Sequence, residues 1–206
     1  MNNPIKIAVL GSGNIGGTLG AKWAAAGHIV AFGVRNPASV KAQSAQSQAG
    51  ENARLTGFAD AIQSSEVVVI ATPSGTVDAL LAEHGGLLNG KLVVDTTNRF
   101  GTPVINHLAE IAQAAPQARV HRAFNSLGWE CFANPVVNGT QVDLFYCGPN
   151  DETHPVMEQL ITDAGLRPVY VGGLETAAIV DNVGALWVTL VFQRKMPRHM
   201  ALKLIQ

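Results

Sequence analysis

The sequence predicts an α/β fold: a doubly wound, mostly parallel sheet with a small helix-and-strand extension towards the C-terminus. Two observations carry this. Short, near-continuous apolar runs alternate with helix-period segments almost from the first residue, and a glycine-rich turn stands where the first run gives way to the first helical segment. Composition sets the frame. With 206 residues, 47% of them hydrophobic and 14% charged, the chain has apolar material for one substantial core. A formal net charge of −1 gives no reason to expect a nucleic acid or a membrane surface as partner. Cys131 and Cys147 form no CxxC pair, so neither a disulfide framework nor a metal site is expected, and free thiols suit a reducing compartment. No signal-peptide pattern opens the chain, and no apolar stretch is read as reaching the roughly 18 residues of a membrane span. A cytoplasmic location is therefore expected.

The elements follow in order. Ile5 to Leu10 reads as a buried strand ending at glycine. Ile15, Leu19 and Trp23 recur every four residues as one stripe of a helix, with Gly27 where a left-handed stop costs least. His28 to Gly33 is the second strand and Ala38 to Gln48 an exposed helix. A short strand near Leu55 and a brief helix at Ala59 to Ser64 lead to Val67 to Ala71, the most β-branched run in the chain. A helix at Gly75 to His84, a strand at Lys91 to Asp95 and a helix at Val104 to Ala114 continue the alternation. Arg119 to Ala123, Asp143 to Cys147 and Pro168 to Val171 supply three more strands. Asn125 to Gln141 has weak periodicity and is expected to be a long loop. In the final helix Val183, Leu186, Trp187, Leu190 and Val191 form the apolar stripe. One domain is expected, with residues 1–125 as its core and 126–206 as a smaller part.

Gly11-Ser12-Gly13-Asn14-Ile15-Gly16 matches G-x-G-x-x-G, directly after a strand and at the start of a helix. That context marks a Rossmann-type dinucleotide site. Gly11 permits the tight turn, Gly13 lets backbone approach a pyrophosphate, and Gly16 lets helix and strand come close. The helix N-terminus then offers free N–H groups and partial positive charge to the anion. An NAD site usually has Asp or Glu at the end of the second strand; here Gly33-Val34-Arg35-Asn36-Pro37 stands there, and no acid precedes Glu51. Arg35 suits the 2′-phosphate of NADP(H), and Asn36 can donate beside it. Thr72, Pro73 and Ser74 end the Val67 strand, and Asn98 and Ala123 close later strands. All are expected at the crevice where open α/β sheets hold ligands, although Asn and Thr serve equally in caps and turns.

Acid–base machinery is scarce. Tyr146 and Tyr170 are followed four residues later by Asn150 and Leu174, not lysine, and the six histidines do not cluster. No catalytic residue is assigned. Hydride transfer between two ring cofactors needs stacked rings and little proton traffic, whereas carbonyl reduction needs an acid.

The runs IAVLGSGNIGGTLG, AFGVRNP, VVVIATPSG, VVDTTN, AFNSLGW, YCG-x-x-x-E and GLRPVYVGGLE occur in that order. Together they resemble the NADPH-dependent reductases of the deazaflavin coenzyme F420, the F420H2:NADP+ oxidoreductases. The RNP and AFN segments also resemble the flavin-using reductase domain of the STEAP metalloreductases. The resemblance implies a Rossmann domain, often dimeric, holding NADP(H) and a second ring of F420, FMN or FAD type. It would place Ser12, Gly13, Asn14 and Ile15 at the pyrophosphate and Arg35 at the 2′-phosphate. Thr72, Pro73 and Ser74 would line the path to the nicotinamide, with Asn98 and Ala123 beside that ring. Two departures stand out: Val34 replaces a common serine, and Ser74 a common bulky aromatic. The expected activity is hydride transfer between NADPH and a deazaflavin or flavin acceptor. The competing readings are an NADPH-dependent reductase of a small carbonyl or imine compound and a non-catalytic NADP(H) redox sensor.

Overall fold

The computed structural model describes residues 3–205, and the chain divides into two compact units, Met1–Val120 and His121–Gln206. In the first, strands and helices alternate: β1 (Lys6–Leu10), α1 (Asn14–Ala25), β2 (Ile29–Gly33), α2 (Val40–Ala49), β3 (Ala53–Thr56), α3 (Phe58–Gln63), β4 (Val67–Ile70), α4 (Val77–His84), β5 (Leu92–Asp95) and α5 (Leu108–Ala114), with β6 (Arg119–Arg122) at the boundary. The six strands form one sheet in the order β3-β2-β1-β4-β5-β6. β1 is paired in parallel on both sides, Leu10 standing beside Gly33 of β2 and Ile70 of β4. The chain winds outwards in both directions from that central strand, which is the Rossmann-type arrangement. It leaves a crevice at the carboxyl ends of β1 and β4.

The apolar runs form strands because both faces of the sheet are covered. On one face Ala8, Leu10, Val68, Ile70 and Val93 join Ile62, Leu80, Leu81 and Ile111 in a single buried cluster. Elsewhere in the core Phe32, Leu19 and Trp23 are fully buried. Complete burial of such side chains contributes on the order of 1.5–3 kcal/mol each. α1 stops where expected: Gly27 has φ +94°, a left-handed conformation that favours glycine.

One helix is shorter than its pattern suggests. The expected helix from Val104 begins only at Leu108, because the preceding backbone is committed elsewhere. The Arg99 N–H donates to the Ile105 carbonyl, the Arg99 guanidinium to the Asn106 carbonyl, and the Thr102 hydroxyl to the Val104 carbonyl. These bonds hold residues 99–106 as a closed loop.

The second unit contains α6 (Trp129–Ala133), β7 (Val136–Val137), β8 (Thr140–Gln141), β9 (Asp143–Tyr146), α7 (His154–Asp163), β10 (Arg167–Tyr170) and α8 (Ala177–Val188), which continues as a π-helical turn over Thr189–Gln193. Residues 125–141 are thus not one loop. They form a short helix and a hairpin whose turn, Asn138-Gly139, has φ +50° and +75°. An Asn-Gly pair is a strong hairpin signal and was the cue to read there. α7 also escaped the periodicity reading; Met157, Leu160 and Ile161 are its buried face. It connects β9 to β10, which pair in parallel with Tyr146 beside Tyr170.

The last helix corrects two expectations. The run Leu174–Gln193 spans 20 residues and by length and composition is apolar enough to cross a membrane. It carries Asp181, however, and Asp181 Oδ1 accepts from Arg122 Nε at 2.8 Å, with Arg122 fully buried. An ion pair of that kind anchors the helix within its own unit. Its buried face is Val180, Asp181, Gly184, Trp187 and Val191, so Leu186 of the expected stripe is exposed. At the other end of the unit Asp143 is buried between Arg167 and Lys203, each at 2.6 Å. Burial alone would raise its carboxyl, but the hydrogen bonds from Arg167, Lys203 and the Leu204 N–H outweigh that and hold it at about 2.

Two outcomes follow from these contacts. A Cβ on Gly16 would lie 2.2 Å from the Gly11 carbonyl oxygen, whereas one on Gly13 meets only the end of Lys41, at 3.9 Å. Gly16→Ala is expected to lower stability by roughly 1–3 kcal/mol in urea titrations, and Gly13→Ala to leave it nearly unchanged. The second concerns pH. Burial lowers the imidazole of His121 to about 4 from the ordinary 6.5. A base depressed in the folded state contributes stability that is complete above its unfolded value and is lost as pH falls towards the folded one. The urea midpoint of the second unit should decline between pH 6.5 and 4, and His121→Gln should flatten that decline.

Candidate dinucleotide-binding site

The site is built on the turn after β1. Gly11 has φ +106°, and a Cβ there would meet the Ala71 carbonyl oxygen at 2.7 Å. Only glycine fits. The close approach of Gly16 to Gly11 and to Val9 brings the start of α1 down onto the end of β1. Gly13 is the N-cap of α1. It provides no side-chain cap, and the first turn carries no acidic residue. The first-turn N–H groups of Asn14, Ile15 and Gly16 have no carbonyl of their own helix to bond, and with the helix's partial positive charge behind them they suit an anion. Ser12 lies between the two glycines of the turn.

The end of β2 adds cationic charge. The Val34 N–H donates to the Thr56 carbonyl, which fixes the strand end, and Val34 itself is buried. Arg35 is exposed and forms no ion pair among the described residues. Asn36 is committed in part to a turn: its Oδ1 accepts from the Ala38 N–H at 3.0 Å, leaving the amide NH2 to donate. Ser39 then caps α2, accepting from the Ala42 N–H. This places Lys41 so that its ammonium lies 3.9 Å from the point a Gly13 Cβ would occupy. Lys41 is a site residue that the sequence pattern alone does not single out; its place two residues after a helix cap is the local signal for it.

A cleft of about 610 Å³ opens at the carboxyl ends of these strands, a size that suits a nucleotide. It brings together Gly11, Val34, Arg35, Thr72 and Pro73, with Thr76 and Leu80 from the next segment. Thr72 Oγ1 is buried and has no hydrogen-bond partner among the described residues. A buried hydroxyl left unpaired is costly, and a ligand group in the cleft would satisfy it. Ser12 to Gly16 form the adjoining turn, while Asn36 and Ser74 do not line the cleft. Gly57, Phe58, Asp60, Glu83 and His84 do, and sequence reading did not find them.

Asn98 lies outside that lining, after β5, on a clamped strand end. Asp95 Oδ1 accepts from the Thr97 N–H at 2.9 Å and from its hydroxyl at 2.7 Å, and Oδ2 accepts from the His107 N–H at 3.0 Å. Since the Thr97 proton goes to Asp95, His107 Nδ1 donates to Thr97 Oγ1, 2.7 Å away. Burial holds the His107 imidazole below its ordinary pKa, in keeping with that neutral tautomer. Ala123 belongs to the second unit, where it is fully buried and is followed by Phe124 at φ +58°.

The residues present fit NADP(H): an open helix mouth for the diphosphate, unpaired Arg35 and Lys41 for the extra phosphate, and Thr72 as an unused polar contact. Comparison with known proteins agrees. Residues 6–99 match the family described as NADP oxidoreductase, coenzyme F420-dependent. The metalloreductase STEAP3 of Rattus norvegicus is 28% identical over 97% of this chain and 40% of its own length. The chain thus spans about two fifths of that relative. A crystal structure of a candidate F420-dependent NADP reductase from Arthrobacter sp. FB24 superposes with a TM-score of 0.82, covering 98% of this chain and 100% of that one at 22% identity. A reductive aminase from Aspergillus terreus in complex with NADPH gives 0.64 at 20% identity, over 92% of this chain and 64% of that one. Over residues 6–99, therefore, this chain is similar to the family of F420-dependent NADP oxidoreductases.

Proposed function

We propose that the chain is an NADP(H)-dependent oxidoreductase that passes hydride between NADPH and a deazaflavin (F420) or flavin-type acceptor. The observation that carries the NADP part is the uncapped, acid-free mouth of α1 beside two cations, Arg35 and Lys41, that have no ion-pair partner among the described residues. Bound NADPH would supply the hydride. The chain's own residues bind and orient: the α1 N–H groups hold the diphosphate, Arg35 and Lys41 the 2′-phosphate, and Thr72 fixes the strand of ligand running past β4. Asn98, on its Asp95–Thr97–His107 clamp, would stand beside the nicotinamide.

The choice of acceptor rests on proton chemistry. The buried thiols of Cys131 and Cys147 are pushed up to about 11. The phenol of Tyr146 is raised further by burial, and His121 is kept neutral. None of these groups exchanges a proton readily at neutral pH. An acceptor that manages its own protons suits such a protein better than a carbonyl compound does. The exposed apolar side chains Ile179, Leu186 and Phe192 support a homodimer, and a cytoplasmic setting is part of the same proposal.

Arg35→Ala should weaken NADPH by about 1.5–3 kcal/mol, the worth of a charged hydrogen bond, and leave NADH almost unaffected in calorimetric titrations. Equal losses for both would remove Arg35 from the role. Stopped-flow oxidation of NADPH with F420, FMN, FAD and a panel of ketones and imines tests the acceptor. Turnover with a deazaflavin or flavin is expected. Turnover only with carbonyls or imines would favour a small-molecule reductase, and tight NADPH binding with no turnover a redox sensor.

A further inference from the structure

The cleft is lined by chemically unlike groups. Arg35 supplies a cation. α3 and α4 supply apolar surface and two acids: the Phe58 ring stands edge-on to His84 with centroids 5.8 Å apart, Pro73 and Leu80 add apolar contact, and Asp60 and Glu83 supply carboxylates. Neither carboxylate is neutralised by a lysine or arginine among the described residues. Asp60 Oδ2 accepts from the Thr56 hydroxyl at 3.2 Å, which steadies the group and leaves Oδ1 to accept from something else. Glu83 Oε1 lies 3.5 Å from His84 Nε2, and most of the Glu83 side chain is exposed. Two acids in a ligand cleft repel phosphate and favour a ligand group that donates a hydrogen bond.

Resting on the NADP reading above, the donor follows by elimination. The adenosine end of NADP has few hydrogen-bond donors. Its 2′-oxygen is phosphorylated, and its 3′-hydroxyl is the neighbour of that phosphate, so both go with Arg35. The exocyclic amine of the base remains. We propose that Asp60 and Glu83 read the 6-amino group of the adenine, with the ring lying on Phe58, Pro73 and Leu80, so that the site selects a 6-aminopurine dinucleotide over its 6-oxo analogue. The 6-oxo group presents an acceptor to the carboxylates in place of two donors. Loss of a charge-assisted hydrogen bond together with oxygen–oxygen repulsion is worth about tenfold or more in affinity.

The test compares NADP+ with nicotinamide hypoxanthine dinucleotide phosphate by calorimetry on the full chain. The wild type should bind the adenine form at least about tenfold more tightly. Asp60→Ala/Glu83→Ala should bring the two affinities to within roughly twofold while keeping the preference for NADP+ over NAD+. Both single variants, measured alongside with their melting temperatures, supply the same readout should the double variant fold poorly. A wild type indifferent to the base overturns the proposal, as does discrimination that survives both substitutions. A wild type that binds neither dinucleotide removes the NADP reading itself, and the base proposal with it.

Discussion

The nucleotide site depends on how closely α1 can approach β1. Side chains at Gly11 and Gly16 would collide with the Ala71 and Gly11 carbonyl oxygens at 2.7 and 2.2 Å, so the absence of two β-carbons lets the helix begin directly at the end of the central strand. A third close approach extends the contact along the helix, where a Cβ on Gly20 would lie 2.5 Å from the Phe32 ring. Steric permission at three positions therefore sets where the helix axis points and where its first N–H groups face. The cations of the β2 end gain their meaning from that geometry, since they stand beside an anion position that the backbone has already defined.

Much of this was legible in the sequence because glycine spacing and β-branched runs are local signals. The strand–turn–helix around Gly11, the six strands of the main sheet and the absence of an acid after β2 all follow from residues a few positions apart. What was not legible depends on partners distant in sequence. The loop of residues 99–106 looks helical by period, yet its carbonyls are taken by Arg99 and Thr102. Lys41 reaches the glycine turn from a different helix. Phe58, Asp60, Glu83 and His84 meet in the cleft only once α3 and α4 have packed on the sheet. α7 and the Asn138-Gly139 hairpin are a different matter, for there the local signals were present.

The second unit is organised by charge as much as by apolar contact. Arg122 and Asp181 form a buried pair, with Asn125 Nδ2 donating to the same carboxylate oxygen at 3.2 Å. Asp143 gathers Arg167, Lys203 and the Leu204 backbone around one side chain. Removing one member of a desolvated pair strands its counterpart, at several kcal/mol, so these residues specify one arrangement of α8 and of the terminal segment more sharply than interchangeable aliphatic side chains would. The left-handed Phe124 sits between Ala123 and the Asn125 that joins this network.

Arg35 and Lys41 are open to solvent, and that exposure has an environmental consequence. Attraction between solvent-exposed charges weakens beyond about 8 Å at physiological ionic strength and persists to about 30 Å in dilute buffer. The backbone amides at the helix mouth are tightly placed and respond little to added electrolyte. On the proposed NADP(H) reading, discrimination between phosphorylated and unphosphorylated dinucleotides would therefore vary with the salt around the protein more than the affinity common to both.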